Sequence, residues 1–441
     1  VHVWLPEAHP AAPSHVSAVM SGVMIKTGIY GLLRVLTYLG DVPAWWGWTL
    51  VTIGVVSGIL GVLFALAQHD LKRLLAYHSV ENIGIICLGL GVGALGVSYG
   101  IAGMALLGFL GAILHVINHA LFKSLLFLGA GAVQHATGTR DMDRLGGLLK
   151  VMPRTGTTFL IGACAISGLP PLNGFVSEFL IYLAVLGGVT EAGHSSGHAW
   201  AVLCVLTFGG LALIGGLAAA CFAKAFGSVF LGEPRSEEAR RGHEAGRAMG
   251  IPMAILAAAC VIVALSAPIW PIVLRPAATA IASAVPPEHL DAASRSAVLP
   301  MSCLCATSWG LFAIIAILAW ARSRLLARRS PQKAPTWDCG YAAVNARMQY
   351  TASSFAAPLV ALFRMFLRPR VELHEPRGLF PERSSFTSHT PDVFYDCLYR
   401  PTFLGVGWVA SKLRWLQQGR IQVYVLYIAL TILVLLVWKL G

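Results

Sequence analysis

The sequence predicts an all-α, polytopic membrane protein with about nine transmembrane helices, one of them broken. First, the chain of 441 residues is 56% hydrophobic and only 12% charged, about half the charged share of a typical soluble domain, and its mean hydropathy is +0.71. Second, long apolar runs recur along the chain, each close to the ~20 residues that a helical bilayer span requires. Third, two adjacent prolines interrupt one of these runs, and proline cannot continue a helix interior.

The apolar runs are the candidate transmembrane segments, and they cover residues 14–38, 44–67, 74–97, 102–133, 157–187, 199–231, 249–275, 299–321 and 421–440. Lysine and arginine are concentrated in alternate connections, namely 68–73, 134–154, 232–248 and the segment after residue 321. The positive-inside rule makes these connections cytoplasmic, so the net charge of +12 reports membrane topology rather than nucleic-acid binding. We therefore expect a multi-pass protein of the cell inner membrane whose C-terminal Gly441 lies on the outer, periplasmic side.

The chain begins with residues 1–13, which we interpret as the tail of a preceding helix and a proline-rich loop. Because it starts without Met and in mid-pattern, we expect it to be a piece of a longer protein. Ser14 is a suitable cap for the first apolar run. Lys26 lies near the middle of that run, too far from either end for its ammonium to reach water comfortably. We therefore interpret Lys26 as a buried functional group.

Two histidines and a lysine form a stripe on the run at 102–133. His115, His119 and Lys123 are spaced i, i+4 and i+8, so they share one helix face. Placing an ionisable side chain inside a membrane costs free energy, so its presence there calls for a physical explanation. One reason is a polar seam that hydrogen-bonds to neighbouring helices. The reason that we favour is a proton path, because histidine and buried lysine can both gain and lose a proton.

The preceding run offers a second ionisable pair. His78 and Glu81 are three residues apart, so they can share a helix face and a proton. A polar cluster at the membrane interface explains the pair equally well, and both interpretations stay open.

The run at 157–187 contains the predicted break. Glycines and prolines interrupt it at Gly168, Pro170, Pro171 and Gly174. Irregular backbone at membrane depth is tolerated only where it is buried in protein or lines a watery cavity. Glu178 follows the break by four residues. Interrupted helices beside ionisable side chains are typical of ion transporters.

The rest of the chain is less informative. Lys224 lies toward the cytoplasmic end of the run at 199–231, where snorkelling to the interface and a buried role are equally good explanations. Residues 232–327 are expected to form packing helices, and the runs at 249–275 and 299–321 carry no internal charge. Residues 328–420 are rich in Arg, Pro and Ser and predict a cytoplasmic or interfacial linker, with a candidate amphipathic helix at 349–370. The final segment, 421–441, predicts a last transmembrane helix.

No cofactor or metal site is indicated. The nine cysteines include no CxxC pair, the spacing that typically signals zinc or iron–sulfur ligation. The chain also lacks a glycine-rich phosphate loop in a strand–helix context. We expect no bound cofactor, no metal and no nucleic acid.

Five motifs in order carry a family resemblance: WLPEAHPAAPSHVSA, GVMIKTGIYGLLR, DLKRLLAYHSVENIGII, HVINHALFKSLLFL and SGLPPLNGFVSEF. Together they resemble the antiporter-like membrane subunits of respiratory complex I and its relatives. The spellings YHSVENIGI and TWDCGYAAVNARMQYTASSFAAPL are most similar to the large antiporter-like subunit of group 4 nickel–iron hydrogenases, the formate hydrogenlyase and hydrogenase-4 type.

The resemblance implies an inverted repeat of two five-helix half-channels, of which residues 14–231 are the second and the first is absent from residues 1–441. It implies that Lys26 bridges the half-channels, that Lys123 is the central lysine, and that Glu178 is the terminal group. His115 and His119 correspond to histidines that hydrate the path. The full set of candidate proton-path residues is Lys26, His78, Glu81, His115, His119, Lys123, Glu178 and Lys224.

The function that this resemblance implies is proton translocation, coupled to electron transfer in partner subunits of a hydrogenase or complex I-like oxidoreductase. The chain itself is then a non-redox subunit whose partners are other membrane subunits, a peripheral redox arm and the lipid bilayer. The alternatives are a subunit of a multisubunit Na⁺/H⁺ antiporter and a scaffold subunit that does not pump. A sodium site prefers several oxygen ligands, and only Glu81 and Glu178 supply carboxylates inside the predicted helices, which favours protons.

Overall fold

The computed structural model describes residues 2–39, 42–192, 197–327, 329, 345–346, 348–374, 378, 385–417 and 419–440. Residues 330–344, which belong to the predicted linker and in part to the last of the quoted motifs, lie outside this part, as does Gly441. The chain divides into two compact units, Val1–Thr390 and Pro391–Gly441. Nine helices in the described part are long and apolar enough to cross a membrane, which confirms the predicted class.

The helices of the first unit are α1 (Leu5–Ala11), α2 (Ser14–Tyr38), α3 (Ala44–Leu66), α4 (Leu71–Ser98), α5 (Ala102–Thr137), α6 (Pro153–Ile166), α7 (Asn173–Ala192), α8 (Ala199–Phe230), α9 (Arg247–Leu265), α10 (Ile269–Ile281), α11 (Pro287–Leu326) and α12 (Ala352–Leu362). Short helical turns lie at Leu148–Lys150, Glu237–Arg240 and Arg364–Leu367. An antiparallel hairpin pairs β1 (Arg370–His374) with β2 (Ser385–His389). The second unit contains α13 (Arg400–Leu413), a turn at Arg414–Leu416, and α14 (Ile421–Leu440).

Helices α4 and α5 form the centre of the first unit. Almost every side chain of α4 is buried, as expected of a helix that is apolar all round and surrounded by other helices. Glycines bring α3 against it: a Cβ at Gly54 would lie 2.6 Å from the backbone nitrogen of Leu88. Small residues at such contacts let membrane helices approach closely. The ionisable residues of α4 and α5 are therefore held inside a tightly packed bundle.

The predicted break is confirmed. Helix α6 ends at Ile166 and α7 begins at Asn173, with Gly168 between them at φ +61°. The described residues also contain three π-helical turns, one in α2 at Met20–Met24, one in α8 at Val205–Gly209 and one at Tyr395–Tyr399, directly before the helix that begins at Arg400. Such π turns are frequent at functional sites.

The connections on the basic side of the bundle pack together. The backbone of His69 and Leu71 hydrogen-bonds to Met142 and Arg140, with N–O distances of 3.0 Å in both cases. Arg144 pairs with Glu238 at 2.6 Å. The predicted basic loops 68–73, 134–154 and 232–248 thus lie on one side of the molecule, as the predicted topology requires.

Several element boundaries differ from the sequence expectation. The run at 249–275 is two helices, α9 and α10, and the predicted connection 276–298 is helical from Pro287 onward. Hydropathy missed this because residues such as Glu288, Asp291 and Arg295 are polar, and low hydropathy does not exclude a helix. Arg275 on α10 forms an ion pair with Asp291 on α11, and this pair holds the polar N-terminal part of α11 against α10.

The linker also holds more regular structure than expected. The residues of β1 and β2 were expected to be loop, and the candidate amphipathic helix at 349–370 is α12 with the short turn Arg364–Leu367. Thr351 and Ser354 form a capping box at the N-terminus of α12, and this motif is a local signal of a helix start. The hairpin has exposed strands and therefore no hydrophobic alternation from which to predict it.

Candidate functional site

The structure buries all eight candidate residues. Each has at most 8% of its surface exposed, the most exposed being Lys26. They are contributed by helices α2, α4, α5, α7 and α8. The following paragraphs give the contacts that hold each group.

His78 and Glu81 interact directly on α4. The Nδ1 atom of His78 hydrogen-bonds to Oε2 of Glu81, and both side chains are buried. Phe222 of α8 covers the imidazole, with ring centroids 4.6 Å apart. Neither side chain reaches the surface, and the role of the pair in a proton path stays a prediction. The shared face and the contact between the two groups are as expected.

A hydrogen-bonded chain continues from this pair across three helices. Asn82 Nδ2 lies 3.5 Å from Glu81 Oε2, and Asn82 Oδ1 lies 3.1 Å from His115 Nε2 on α5. His115 Nδ1 in turn lies 2.9 Å from Ser177 Oγ on α7. His115 is therefore bonded through both ring nitrogens and connects α4 to the helix that follows the break.

An amide pair fixes the start of α7 against α5. Asn118 Nδ2 donates to the carbonyl oxygen of Asn173 at 2.7 Å and to Ser177 Oγ at 2.9 Å. Asn173 Nδ2 donates back to Asn118 Oδ1 at 3.0 Å. The first residue of α7 is thereby positioned by side chains of α5, which gives the break a defined geometry.

Sequence reasoning missed the uncharged members of this network. Asn82 and Asn118 were not identified, and neither was Ser177. A usable signal was present, because Asn82 follows His78 by four residues, Asn118 precedes His119, and Ser177 precedes Glu178. Each lies one helical turn from, or next to, a residue that was selected for its charge.

Lys123 lies in the middle of the bundle. Its Nζ donates to the carbonyl oxygen of Leu75 on α4 and lies 5.4 Å from the centroid of the Phe127 ring. Within the described residues no carboxylate is within 4.0 Å of it, although Glu81 attracts it electrostatically. His119 is one turn away, and neither of its ring nitrogens has a hydrogen-bond partner in the described part of the chain.

Lys26 is held by the irregular turn before it. Its Nζ donates to the carbonyl oxygen of Ser21, inside the π turn of α2. The Ser21 hydroxyl lies 2.7 Å from that of Ser79 on α4. The Lys26 ammonium is thus linked to α4 by two short polar contacts, and it is buried as predicted.

Lys224 does not snorkel. Only 1% of the residue is exposed, and its Nζ donates to the carbonyl oxygens of Leu66 at 2.6 Å and of Gln68 at 2.7 Å. These carbonyls terminate α3, and the C-terminal end of a helix is the end that attracts a cation. Of the two explanations offered for Lys224, snorkelling is wrong, and its role in a proton path stays a prediction.

Glu178 packs against the break itself. A Cβ at Gly168 would lie 2.7 Å from Glu178 Oε2, so the carboxylate occupies space that only glycine leaves open. The residue is 6% exposed and lies next to Ser177, the end of the chain from His78. The break therefore brings a buried carboxylate to the end of a buried polar network.

Chemically, the arrangement provides proton-accepting groups in sequence. Imidazoles, carboxylates and amines exchange protons, whereas the amides and hydroxyls between them orient neighbours. The side chains lie on elements of one packed bundle and cross from α4 to α7. Such a set can hold and pass protons through the interior of a membrane protein.

Comparison with known proteins shows which membrane proteins this chain is similar to. The profile of the transmembrane family described as NADH:quinone oxidoreductase/Mrp antiporter matches residues 1–206. Hydrogenase-4 component B of Escherichia coli is 39% identical over 99% of this chain and 66% of its own length. Formate hydrogenlyase subunit 3 of the same organism is 39% identical over 86% of this chain and 60% of its own. The chain thus spans about two thirds of the length of these relatives.

A solved structure shares the fold. A chain of the membrane-bound sulfane sulfur reductase, an archaeal respiratory membrane complex, superposes with a TM-score of 0.67 and 23% identity. The superposition covers 99% of this chain and 65% of the other.

Proposed function

Because the chain belongs to the NADH:quinone oxidoreductase/Mrp antiporter family of transmembrane proteins, we propose that it translocates protons as one subunit of a respiratory-type oxidoreductase complex. The observation that carries this proposal is the buried chain of contacts from His78 and Glu81 through Asn82 and His115 to Ser177. A membrane helix carries groups of this kind at a considerable free-energy cost, and proton transfer supplies the reason.

In the proposed path Lys123 is the central carrier. It lies within electrostatic reach of both Glu81 and Lys26, so a proton on one group changes the free energy of charge on the others. Lys26 connects the path to α2, His115 relays toward α7, and Glu178 releases protons on the outer side. His119 and Lys224 contribute to the electrostatics and to supply from the basic side.

The names of the relatives support the proposed partners. Hydrogenase-4 component B and formate hydrogenlyase subunit 3 suggest an oxidoreductase complex of the hydrogenase type, with further membrane subunits and a peripheral redox arm. The inner membrane is the expected location, with the clustered basic loops on the cytoplasmic side.

The test replaces Lys123 by alanine in the assembled complex. Lys123→Ala removes the central amine and is expected to abolish proton uptake into sealed membrane vesicles, while the complex remains assembled by native gel electrophoresis. Proton movement is measured with a pH-sensitive dye during redox turnover, in sodium-free medium. The matched control is Lys150→Ala, which removes a lysine from a surface ion pair with Glu233.

Three outcomes separate the candidate functions. Loss of pumping in Lys123→Ala with normal pumping in Lys150→Ala supports the proposal. Pumping at the wild-type rate in both variants favours the scaffold function. Activity that requires added sodium in the unmodified complex favours the Na⁺/H⁺ antiporter function.

A further inference from the structure

His69 is a titratable group at the surface that the proposed path does not include. It lies between α3 and α4, on the side of the clustered basic loops, and 29% of its side chain is exposed. Its Nδ1 atom lies 3.1 Å from Ser353 Oγ and 3.3 Å from Asp143 Oδ2. Its Nε2 atom lies 2.8 Å from Ser388 Oγ on β2. Both ring nitrogens are therefore engaged by side chains from three other segments.

Asp143 provides a fixed negative charge beside this imidazole. Ser353 donates to its carboxylate through the backbone nitrogen at 2.9 Å and through the hydroxyl at 2.5 Å. Burial alone raises the pKa of this carboxyl, but the hydrogen bonds from His69 and Ser353 outweigh it and hold the pKa well below the ordinary value. Asp143 is therefore ionised throughout the physiological range.

The pair lies next to a buried member of the proton path. Lys224 Nζ donates to the carbonyl oxygen of Gln68, the residue that directly precedes His69. The Asp143 carboxylate also attracts the Lys224 ammonium electrostatically. One carboxylate thus contacts the partly exposed imidazole and acts electrostatically on the buried amine.

Two arginines near the pair have partners of their own, although Asp143 also attracts Arg235 electrostatically. Arg140 pairs with Asp70 at 3.0 Å, and Arg235 donates to the carbonyl oxygens of Leu145 and Ser228 at 2.5 and 2.7 Å. On the hairpin, Val371 and Ser388 face each other across the strands and line a cavity at His69. Because side chains alternate along a strand, the charged residues Arg370, Glu372 and His389 belong to the opposite face.

A cavity of about 200 Å³ reaches this imidazole. Its polar lining comes from His69, Ser353, Ser388 and Thr390, and the remaining wall is apolar, including Ala67 and Phe386. A space of this size admits several water molecules or a small heterocycle. An imidazole ring nitrogen can accept or donate a proton, and this cavity gives His69 a space in which to exchange one with water.

We propose that His69 and Asp143 form the proton-collecting pair of the basic side and supply Lys224. The neutral imidazole binds a proton from water, Asp143 stabilises the imidazolium, and the proton then passes to the neutral amine of Lys224. In the first transfer an O–H bond of hydronium breaks as an N–H bond of His69 forms. In the second that N–H bond breaks as one forms on Lys224, and the imidazole returns to its neutral state. The inference rests on the proposed function, because it names the group that feeds that path.

The test uses His69→Gly in the intact complex, with pumping measured in sealed vesicles as above. Removing the imidazole should lower the proton-pumping rate several-fold at neutral pH. Millimolar imidazole in the medium should restore most of that rate, because the cavity next to residue 69 accepts the free heterocycle. The control His389→Gly removes an exposed histidine from β2, the strand whose Ser388 contacts His69. This variant should pump normally with or without imidazole.

A second variant separates proton transfer from a structural role. His69→Gln retains hydrogen bonds toward Ser353 and Ser388 but cannot carry a proton, so it should pump as poorly as His69→Gly while the complex stays assembled. Normal pumping in His69→Gln overturns the inference. A loss of pumping in His69→Gly that imidazole does not restore also overturns the inference, because His69 then has only a structural role.

These results are distinguishable from a failure of the proposed function. If Lys123→Ala pumps normally, the proton path itself is wrong. If Lys123→Ala does not pump but His69→Gln does, the path stands and the collecting pair is wrong.

Discussion

At the scale of single residues, His115 separates a proton relay from a polar seam. Its two ring nitrogens contact Asn82 and Ser177, so it occupies the one position that connects α4 to α7 in the network described above. A glutamine can make both hydrogen bonds across helices but cannot take up a proton. The two functions therefore predict different behaviour for the same substitution.

We expect His115→Gln to lower the pumping rate several-fold without loss of assembly. The measurement is the dye-monitored proton flux per redox turnover, combined with native gel electrophoresis. His135→Gln is the matched control, because His135 lies near the end of the same helix and is exposed. Equal flux in wild type and His115→Gln would assign His115 to the seam.

The sequence predicted the charged members of the site better than the uncharged ones. Lys26, Lys123 and Glu178 are conspicuous because charge is rare in an apolar run. Asn82 and Ser177 are not conspicuous, since amides and hydroxyls occur throughout membrane helices as packing and hydrogen-bonding residues. Their importance depends on which helix faces them, and that information lies in the tertiary packing.

At the scale of elements, the break between α6 and α7 was predictable because its causes are local. Prolines remove backbone donors and glycines adopt φ values that other residues avoid. The hairpin β1–β2 and the polar start of α11 were not predictable in this way. Their contacts, such as Arg275 with Asp291, join residues that no local pattern connects.

Gly168 allows a test of whether the break requires a residue without a side chain. It has φ +61°, and a Cβ there would lie 2.7 Å from Glu178 Oε2. Gly168→Ala should therefore destabilise the folded complex by about 1–2 kcal/mol from backbone strain alone, and it should also displace the Glu178 carboxylate and slow pumping. The thermal midpoint of the solubilised complex and the proton flux measure the two effects.

The comparison variant is Gly187→Ala on α7. A Cβ there meets no atom within 4 Å, and alanine is the better helix former by roughly 1 kcal/mol. It should leave the thermal midpoint unchanged or raise it slightly. A Gly168→Ala variant that behaves like Gly187→Ala would show that the glycine at the break has no steric role.

At the scale of the whole molecule, membrane orientation is the property that follows from charge. The basic loops lie together, and the opposite ends of the helices are poor in lysine and arginine. The predicted orientation places Lys150 in the cytoplasm and His289, near the start of α11, outside.

Cysteine labelling from one side of the membrane tests that orientation. In right-side-out vesicles a membrane-impermeant maleimide should label a His289→Cys variant and leave a Lys150→Cys variant unlabelled. Both side chains are at least 60% exposed, so accessibility is set by the membrane alone. The unsubstituted protein gives the background, since Cys303 and Cys397 are exposed. The reverse labelling pattern would invert the topology and, with it, the direction of the proposed path.

Because α2 contains the π turn at Met20–Met24, we expect deletion of a residue there to disturb the packing of the helix more than substitution of one. A π turn accommodates one surplus residue within a helix, so the segments on its two sides are rotated against each other by about 100°, the angle that one residue advances. The first segment contacts α5 through Ala18 and Ser124, while Ile29 beyond the turn packs in the main apolar core. Exchanging one side chain in the turn alters a local contact. Deleting one would restore a regular helix and turn Lys26 away from α4, so that the two halves of the helix could no longer both keep their neighbours.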